Sequence, residues 1–213
     1  MSTRIITRNR VSLRWAEMIA LFVGTPLVLA FLLPPTMMFT VLGVTTFAGI
    51  VLLHITPGFS WAELNRGQFD WRALALLGAS TVVTSAIAVM VLMPENALIL
   101  PRTQTGLWLM IMLLYPLVSA LPQEVIFRPL FFRRYGDLMP AGSLIWVNAA
   151  LFSLAHLMYW DALVLAMTFC GGLAFAWAYH VRGSFWLAVV MHAVAGQIVF
   201  TSGLGRLFYS GAV

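Results

Sequence analysis

Long apolar segments separated by short polar ones make up most of the chain. Leu74 to Met93 and Phe185 to Phe200 carry no formal charge, and a helix needs about 20 such residues to cross the hydrocarbon core of a bilayer. The pattern therefore predicts an all-α fold, a polytopic membrane helical bundle of about seven spans. The predicted spans are Glu17 to Leu33, Thr36 to Leu53, Arg72 to Met93, Gly106 to Leu121, Gly142 to Tyr159, Ala162 to Tyr179 and Ser184 to Thr201.

One further segment, Pro122 to Tyr135, lies between the fourth and fifth spans. It is too apolar for a loop and too charged for an ordinary span. We expect a separate, partly buried helix that begins at Pro122, since proline is favoured in the first turn of a helix. Residues 1–213 are expected to form a single integral membrane domain.

The composition supports a membrane protein. Hydrophobic residues make up 62% of the 213 residues and charged residues only 9%, whereas a soluble domain has about a quarter of its residues charged. The basic residues are all arginine and flank the spans, so they indicate a lipid bilayer as partner and no nucleic acid. Cys170 is the single cysteine, which excludes a disulfide within the chain.

The arginines lie mainly on one side of the predicted membrane. Arg102 and Arg206 fall on the other side, and Arg128 falls within the membrane. Because cytoplasmic loops are enriched in basic residues, the N-terminus is expected in the cytoplasm and Val213 on the opposite side. The expected cytoplasmic set is Arg4, Arg8, Arg10, Arg14, Arg66, Arg72, Arg133, Arg134 and Arg182.

Four ionisable residues fall within the apolar segments: Glu124, Arg128, His156 and His192. Such residues are costly in a bilayer and mark a functional site or a buried structural pair. Glu124 and Arg128 have the i, i+4 spacing of a helical ion pair, which we expect Pro129 to bend and loosen. Each histidine is either a hydrogen-bonded packing residue or part of a site.

Depth along the helices favours one site. At a rise of about 1.5 Å per residue, Glu124 and His192 lie roughly 13 to 14 Å from the cytoplasmic edge, and His156 about 21 Å. We therefore expect Glu124, Arg128, His156 and His192 to share one cavity that opens toward the cytoplasmic half.

A carboxylate and two imidazoles in a dry cavity are suited to peptide hydrolysis. The carboxylate can take a proton from water, and the imidazoles can orient that water and stabilise an oxyanion. The alternative is a divalent metal site, zinc above all, with Glu124, His156 and His192 as ligands, although their spacing is not that of the HExxH motif. The sequence leaves both open.

Three segments follow one another along the chain: Gln123-Glu124-Val-Ile-Phe-Arg128, Phe152-x-x-x-His156, and His192 in a late span. They resemble the EExxxR, FxxxH and HxxxN/D motifs of the CPBP family. This family of CAAX prenyl protease and bacteriocin-processing proteins, also called Abi, comprises intramembrane glutamic endopeptidases. The resemblance covers about residues 115–200. It implies a bundle in a bacterial cytoplasmic membrane that cleaves a membrane-embedded or lipid-modified peptide. The implied catalytic residues are Glu124, His156 and His192, supported by Gln123, Arg128, Phe152 and Asn148.

Two positions depart from the family pattern. Gln123 replaces the first glutamate of EExxxR, to which the family assigns activation of water, and an amide cannot act as a general base. Glu124 is then the expected base. Gly196 stands where the third motif has Asn or Asp, and Gln197 and Asn148 are the amides that could replace it. The alternative function is a catalytically silent relative that acts as a membrane peptide-binding, scaffold or immunity protein.

Overall fold

The computed structural model describes residues 2–208, with side chains for residues 11–208. This part of the chain is helical and contains no strand. Seven helices are long and apolar enough to cross a membrane, so the predicted all-α bundle of seven spans is confirmed. The spans are α1 (Val11–Phe31), α2 (Pro35–His54), α3 (Trp71–Leu92), α4 (Thr105–Leu138), α5 (Ala141–Tyr159), α6 (Ala162–His180) and α7 (Phe185–Ser202).

The expectation of a separate helix from Pro122 to Tyr135 is wrong, because α4 is one helix of 34 residues. It contains widened π-helical turns at Pro116–Ala120 and Ile126–Tyr135. A proline lacks an N–H group and crowds the preceding turn, and a widened turn lets the helix continue past it. The segment that carries Glu124 and Arg128 is thereby held in the middle of a long span.

Side-chain caps fix where several spans begin. Asp70 accepts a hydrogen bond from the Ala73 N–H at 3.0 Å at the start of α3. Asp161 and Ser184 cap α6 and α7 in the same way, which satisfies amide groups that have no partner within the helix. The Ala73 N–H and the nearby Arg182 guanidinium hold the pKa of Asp70 below its usual range.

Ion pairs join the span ends at one face of the bundle, here called the arginine-rich face. Arg134 binds Glu17 at 2.8 Å, and Arg14 binds both the Arg134 carbonyl and the Asp137 carboxylate. Arg133 pairs with Glu63, and Arg182 pairs with Asp70. Met1, Val213 and the side chains of Arg4, Arg8 and Arg10 lie outside the described residues.

The opposite end of the bundle is here called the far face. Arg206 donates to the Asn96 side chain at 3.0 Å, and the Leu98 N–H donates to the Ser202 carbonyl at 3.0 Å. These contacts join the loop after α3 to the end of α7. Among the described residues, the arginines outside the membrane interior therefore lie mainly at the arginine-rich face.

The half of the bundle next to the arginine-rich face has a closely packed core. Phe22 contacts Phe127, Phe131 and Tyr135 edge to face, with ring centroids 5.3 to 6.0 Å apart. Leu53 and Leu130 are fully buried around them. Edge-to-face packing of this kind fills space efficiently, so this half is solid.

Spans α5 and α6 approach each other closely at Gly172. A Cβ atom at this position would lie 3.0 Å from the Ala149 Cα. We expect Gly172→Leu to force the two helices apart and to lower the free energy of unfolding by about 1 to 3 kcal/mol, measured as a lower Tm in detergent. Gly43→Leu is the matched control, because a Cβ at Gly43 meets nothing within 4 Å. Equal shifts in the two variants would contradict the close contact.

Candidate active site

A fully buried ion pair lies at the centre of α4. Arg128 Nε donates to Glu124 Oε2 at 2.7 Å, and Arg128 Nη2 donates to Oε1 at 3.3 Å. Both side chains are 0% exposed. The expectation that Pro129 loosens this pair is wrong, because the π-helical turns from Ile126 onward accommodate the proline.

Asn148 of α5 completes the surroundings of Arg128. Its amide oxygen accepts a hydrogen bond from Arg128 Nη1, and its Nδ2 donates to the Phe127 carbonyl at 2.7 Å. The guanidinium also lies over the Phe152 ring, 5.3 Å from its centroid. A buried cation needs such partners, so Asn148 supports Arg128 and is not free to act elsewhere.

His192 of α7 contacts the same carboxylate. Its Nδ1 lies 2.8 Å from Glu124 Oε1, and its ring stacks on Phe175 with centroids 4.9 Å apart. A carboxylate accepts hydrogen bonds, so the neutral imidazole carries its proton on Nδ1 and keeps a lone pair on Nε2. Glu124 and His192 thus form a carboxylate–histidine pair across two helices.

His156 occupies a separate position at the end of α5. Its Nδ1 lies 2.8 Å from the Phe152 carbonyl, which again leaves the lone pair on Nε2. The Phe152 ring lies between the two histidines, with centroids 4.9 Å from His156 and 5.4 Å from His192. Phe152 therefore fixes the spacing of the two imidazoles.

A cavity of about 1160 Å³ lies beside these residues. His156, His192 and Gln123 line it, whereas Glu124 and Arg128 do not. Neighbouring residues on a helix point about 100° apart, so Gln123 faces the cavity while Glu124 faces Arg128. The two histidines share the cavity as expected, but the expectation that Glu124 and Arg128 also line it is wrong.

The cavity occupies the far half of the bundle. Its lining includes residues from the ends of the spans that lead to the far face, among them Leu29, Met38 and Phe200. The expectation of a cavity in the arginine-rich half is therefore wrong. On that side the aromatic rings around Phe22 pack between the helices.

Tyr115 belongs to the site and was missed by sequence reasoning. Its ring centroid lies 6.0 Å from that of His192, and its side chain lines the cavity. A Cβ atom at Gly196 would lie 2.3 Å from this ring, so the ring occupies the space that an Asn or Asp side chain would need. The sequence signal for Tyr115 was the glycine at position 196, where the third motif has Asn or Asp.

Two further polar side chains have defined partners. Gln123 Nε2 donates to Ser119 Oγ at 2.9 Å, and both residues line the cavity. Gln197 donates to the Met112 carbonyl at 2.8 Å and does not line the cavity. Gln197 therefore does not replace the amide of the third motif.

Glu124, His156 and His192, the ligands of the alternative metal site, do not converge on one metal position. Across residues 11–208, no group of three His, Cys, Asp or Glu residues could hold a metal ion. Both Glu124 oxygens are engaged by Arg128 and His192, so this carboxylate is not free to bind a metal ion together with the two imidazoles. A zinc site needs at least three protein ligands that converge on one point.

Comparison with known proteins finds one family that part of the chain resembles. Residues 104–196 match the family described as type II CAAX prenyl endopeptidase Rce1-like. No curated protein and no solved structure matches the chain significantly. The matched region contains Gln123, Glu124, Arg128, His156 and His192. The part of this integral membrane protein that carries the buried ion pair and both histidines is therefore similar to the Rce1-like type II CAAX prenyl endopeptidases.

Proposed function

We propose that the protein is an intramembrane endopeptidase that hydrolyses a membrane-associated peptide, with Glu124, His156 and His192 at its centre. The observation that carries this proposal is the 2.8 Å contact between Glu124 Oε1 and His192 Nδ1 at the wall of the cavity. A carboxylate that orients a histidine toward a cavity is a common way to activate a nucleophile. The family domain supports the same reaction class.

In this proposal Glu124 activates water through His192. Its carboxylate already accepts hydrogen bonds from Arg128, so it is a poor base for water itself. It holds the Nδ1 proton of His192 and stabilises the imidazolium that forms when Nε2 takes a proton from water. His156 Nε2 accepts the second hydrogen bond of that water and orients it.

Hydrogen-bond donors are needed where negative charge develops. When the water oxygen attacks the peptide carbonyl, the carbonyl oxygen becomes an oxyanion. The Tyr115 hydroxyl and the remaining Gln123 N–H are the proposed donors, since both side chains line the cavity. His192 then returns its proton to the amide nitrogen, the C–N bond breaks, and a carboxylic acid and an amine are released.

The cavity indicates an apolar substrate. Most of its lining consists of Leu, Met, Phe, Ala and Val side chains, which favour an apolar peptide over a charged one. A peptide that is embedded in the membrane or carries a lipid would bury its side chains here and present one amide to His192.

Loss of a catalytic side chain should abolish cleavage. We expect Glu124→Gln, His156→Ala and His192→Ala each to lower the cleavage rate by about 10²- to 10⁴-fold, because each removes a group that moves or orients a proton. The measurement is mass spectrometry of a panel of single-span peptides incubated with the protein in liposomes. His180→Ala is the matched control, since His180 is exposed and does not line the cavity. Undiminished cleavage by His192→Ala would rule out the mechanism.

Tyr115→Phe tests the oxyanion donor. We expect kcat to fall by about 10²-fold with KM unchanged, because the hydroxyl acts only in the transition state. Tyr179→Phe is the control, since Tyr179 does not line the cavity. A change in KM alone would assign Tyr115 to substrate binding.

Gln123→Glu separates an enzyme from a silent relative. Under the proposal the parent cleaves peptide and Gln123→Glu cleaves no faster, because His192 already serves as base and the carboxylate lacks the N–H that Gln123 donates to the oxyanion. Cleavage that appears only in Gln123→Glu would instead support the scaffold or immunity function, with the family's first glutamate restored. Both proteins are assayed on the same peptide panel, with and without a chelator.

A further inference from the structure

We propose that the cavity is reached from the non-cytoplasmic side of the membrane, and that the substrate is a membrane-inserted or exported polypeptide whose scissile bond lies in that half. The part of this inference that concerns the substrate rests on the proposed function. The direction of access rests on the packing of the two halves and on the position of the arginines.

The arginine-rich half offers no path to His192. Leu130, Phe131, Tyr135 and Leu187 are all 0% exposed there. The ion pair of Glu124 and Arg128 lies between this core and the cavity and is itself fully buried. Water and peptide that reach His192 must therefore come through the far half.

The far half is open at its side. Phe39, Leu114 and Val118 line the cavity and are 55%, 46% and 47% exposed. Phe39 and Val118 also line a second groove, formed by residues of α2 and α4. The cavity wall is thus continuous with the lipid-facing surface between α2 and α4. An apolar peptide segment can enter from the bilayer without passing through water.

The cavity also carries a polar atom that calls for water or a ligand. Ser85 Oγ is buried, has no hydrogen-bond partner among the described residues and belongs to a residue that lines the cavity. Buried hydroxyls are nearly always satisfied by protein or by ordered water. Ser85 lies seven residues from the far end of α3, so this polar point is in the far half.

The arginines assign the two faces to compartments. Arg14, Arg133, Arg134 and Arg182 cluster at one face, and only Arg102 and Arg206 belong to the far side among the described residues. Basic residues are retained in the cytoplasm during insertion, which places the cavity in the half away from the cytoplasm. Of the two substrate classes that the sequence suggested, this favours the membrane-embedded peptide over a lipid-modified cytoplasmic tail.

Sided thiol labelling tests the direction of access without any need for activity. The native Cys170 lines the cavity and is exposed, so it serves as the cavity thiol. In a Cys170→Ala background, single cysteines are placed by Gln68→Cys near the arginine-rich face and by Gln104→Cys near the far face. Gln68 and Gln104 are both exposed and form a matched pair. A charged, membrane-impermeant methanethiosulfonate is added to intact cells or to inside-out vesicles, and unreacted thiol is then counted with N-ethylmaleimide.

The proposal expects Cys170 to follow Gln104→Cys. Both should lose N-ethylmaleimide reactivity in intact cells and keep it in inside-out vesicles, with Gln68→Cys showing the reverse. Protection of Cys170 together with Gln68→Cys would overturn it, as would protection of Gln68→Cys in intact cells. The proposal would also be overturned if reagent added from either side failed to protect the cavity thiol, because a hydrolytic site needs a path for water. If labelling succeeds and no peptide is cut, the proposed function fails while the direction of access stands.

Discussion

The buried pair of Glu124 and Arg128 is the constraint on which the site depends. Two charges without solvent are costly in a bilayer, and removing one partner of such a pair costs about 3 to 5 kcal/mol. The bundle therefore has to supply every remaining hydrogen bond, and it does so with the Asn148 amide, the His192 imidazole and the faces of two aromatic rings. These partners come from α5, α6 and α7, so one ion pair on α4 fixes the packing of four spans.

That constraint also orders the residues around the reacting centre. Because both Glu124 oxygens are engaged, His192 is held with Nε2 as its free nitrogen, and Phe152 separates it from His156. In the proposed mechanism the carboxylate therefore orients the histidine, and His192 supplies the base that a glutamine at position 123 cannot.

The contrast between a solid half and a hollow half links stability to function. Aromatic rings around Phe22 hold the helices together on the arginine-rich side, where the span ends are also joined by ion pairs. On the far side the same helices line the cavity. Tyr115 fills the space left by Gly196, so a missing side chain on α7 is matched by a large one on α4.

The length of the apolar segments determined the seven spans, and the position of the arginines determined the two unlike faces. The spacing of Glu124 and Arg128 determined the ion pair. Each of these features depends on local composition or on the period of a single helix. The depth estimate brought Glu124 and His192 together for the same reason. Only the tertiary structure decided that Glu124 faces away from the cavity, that the cavity lies in the far half and that Tyr115 belongs to the site. These features depend on how separate helices rotate and pack against one another, which the order of residues along any one helix does not specify.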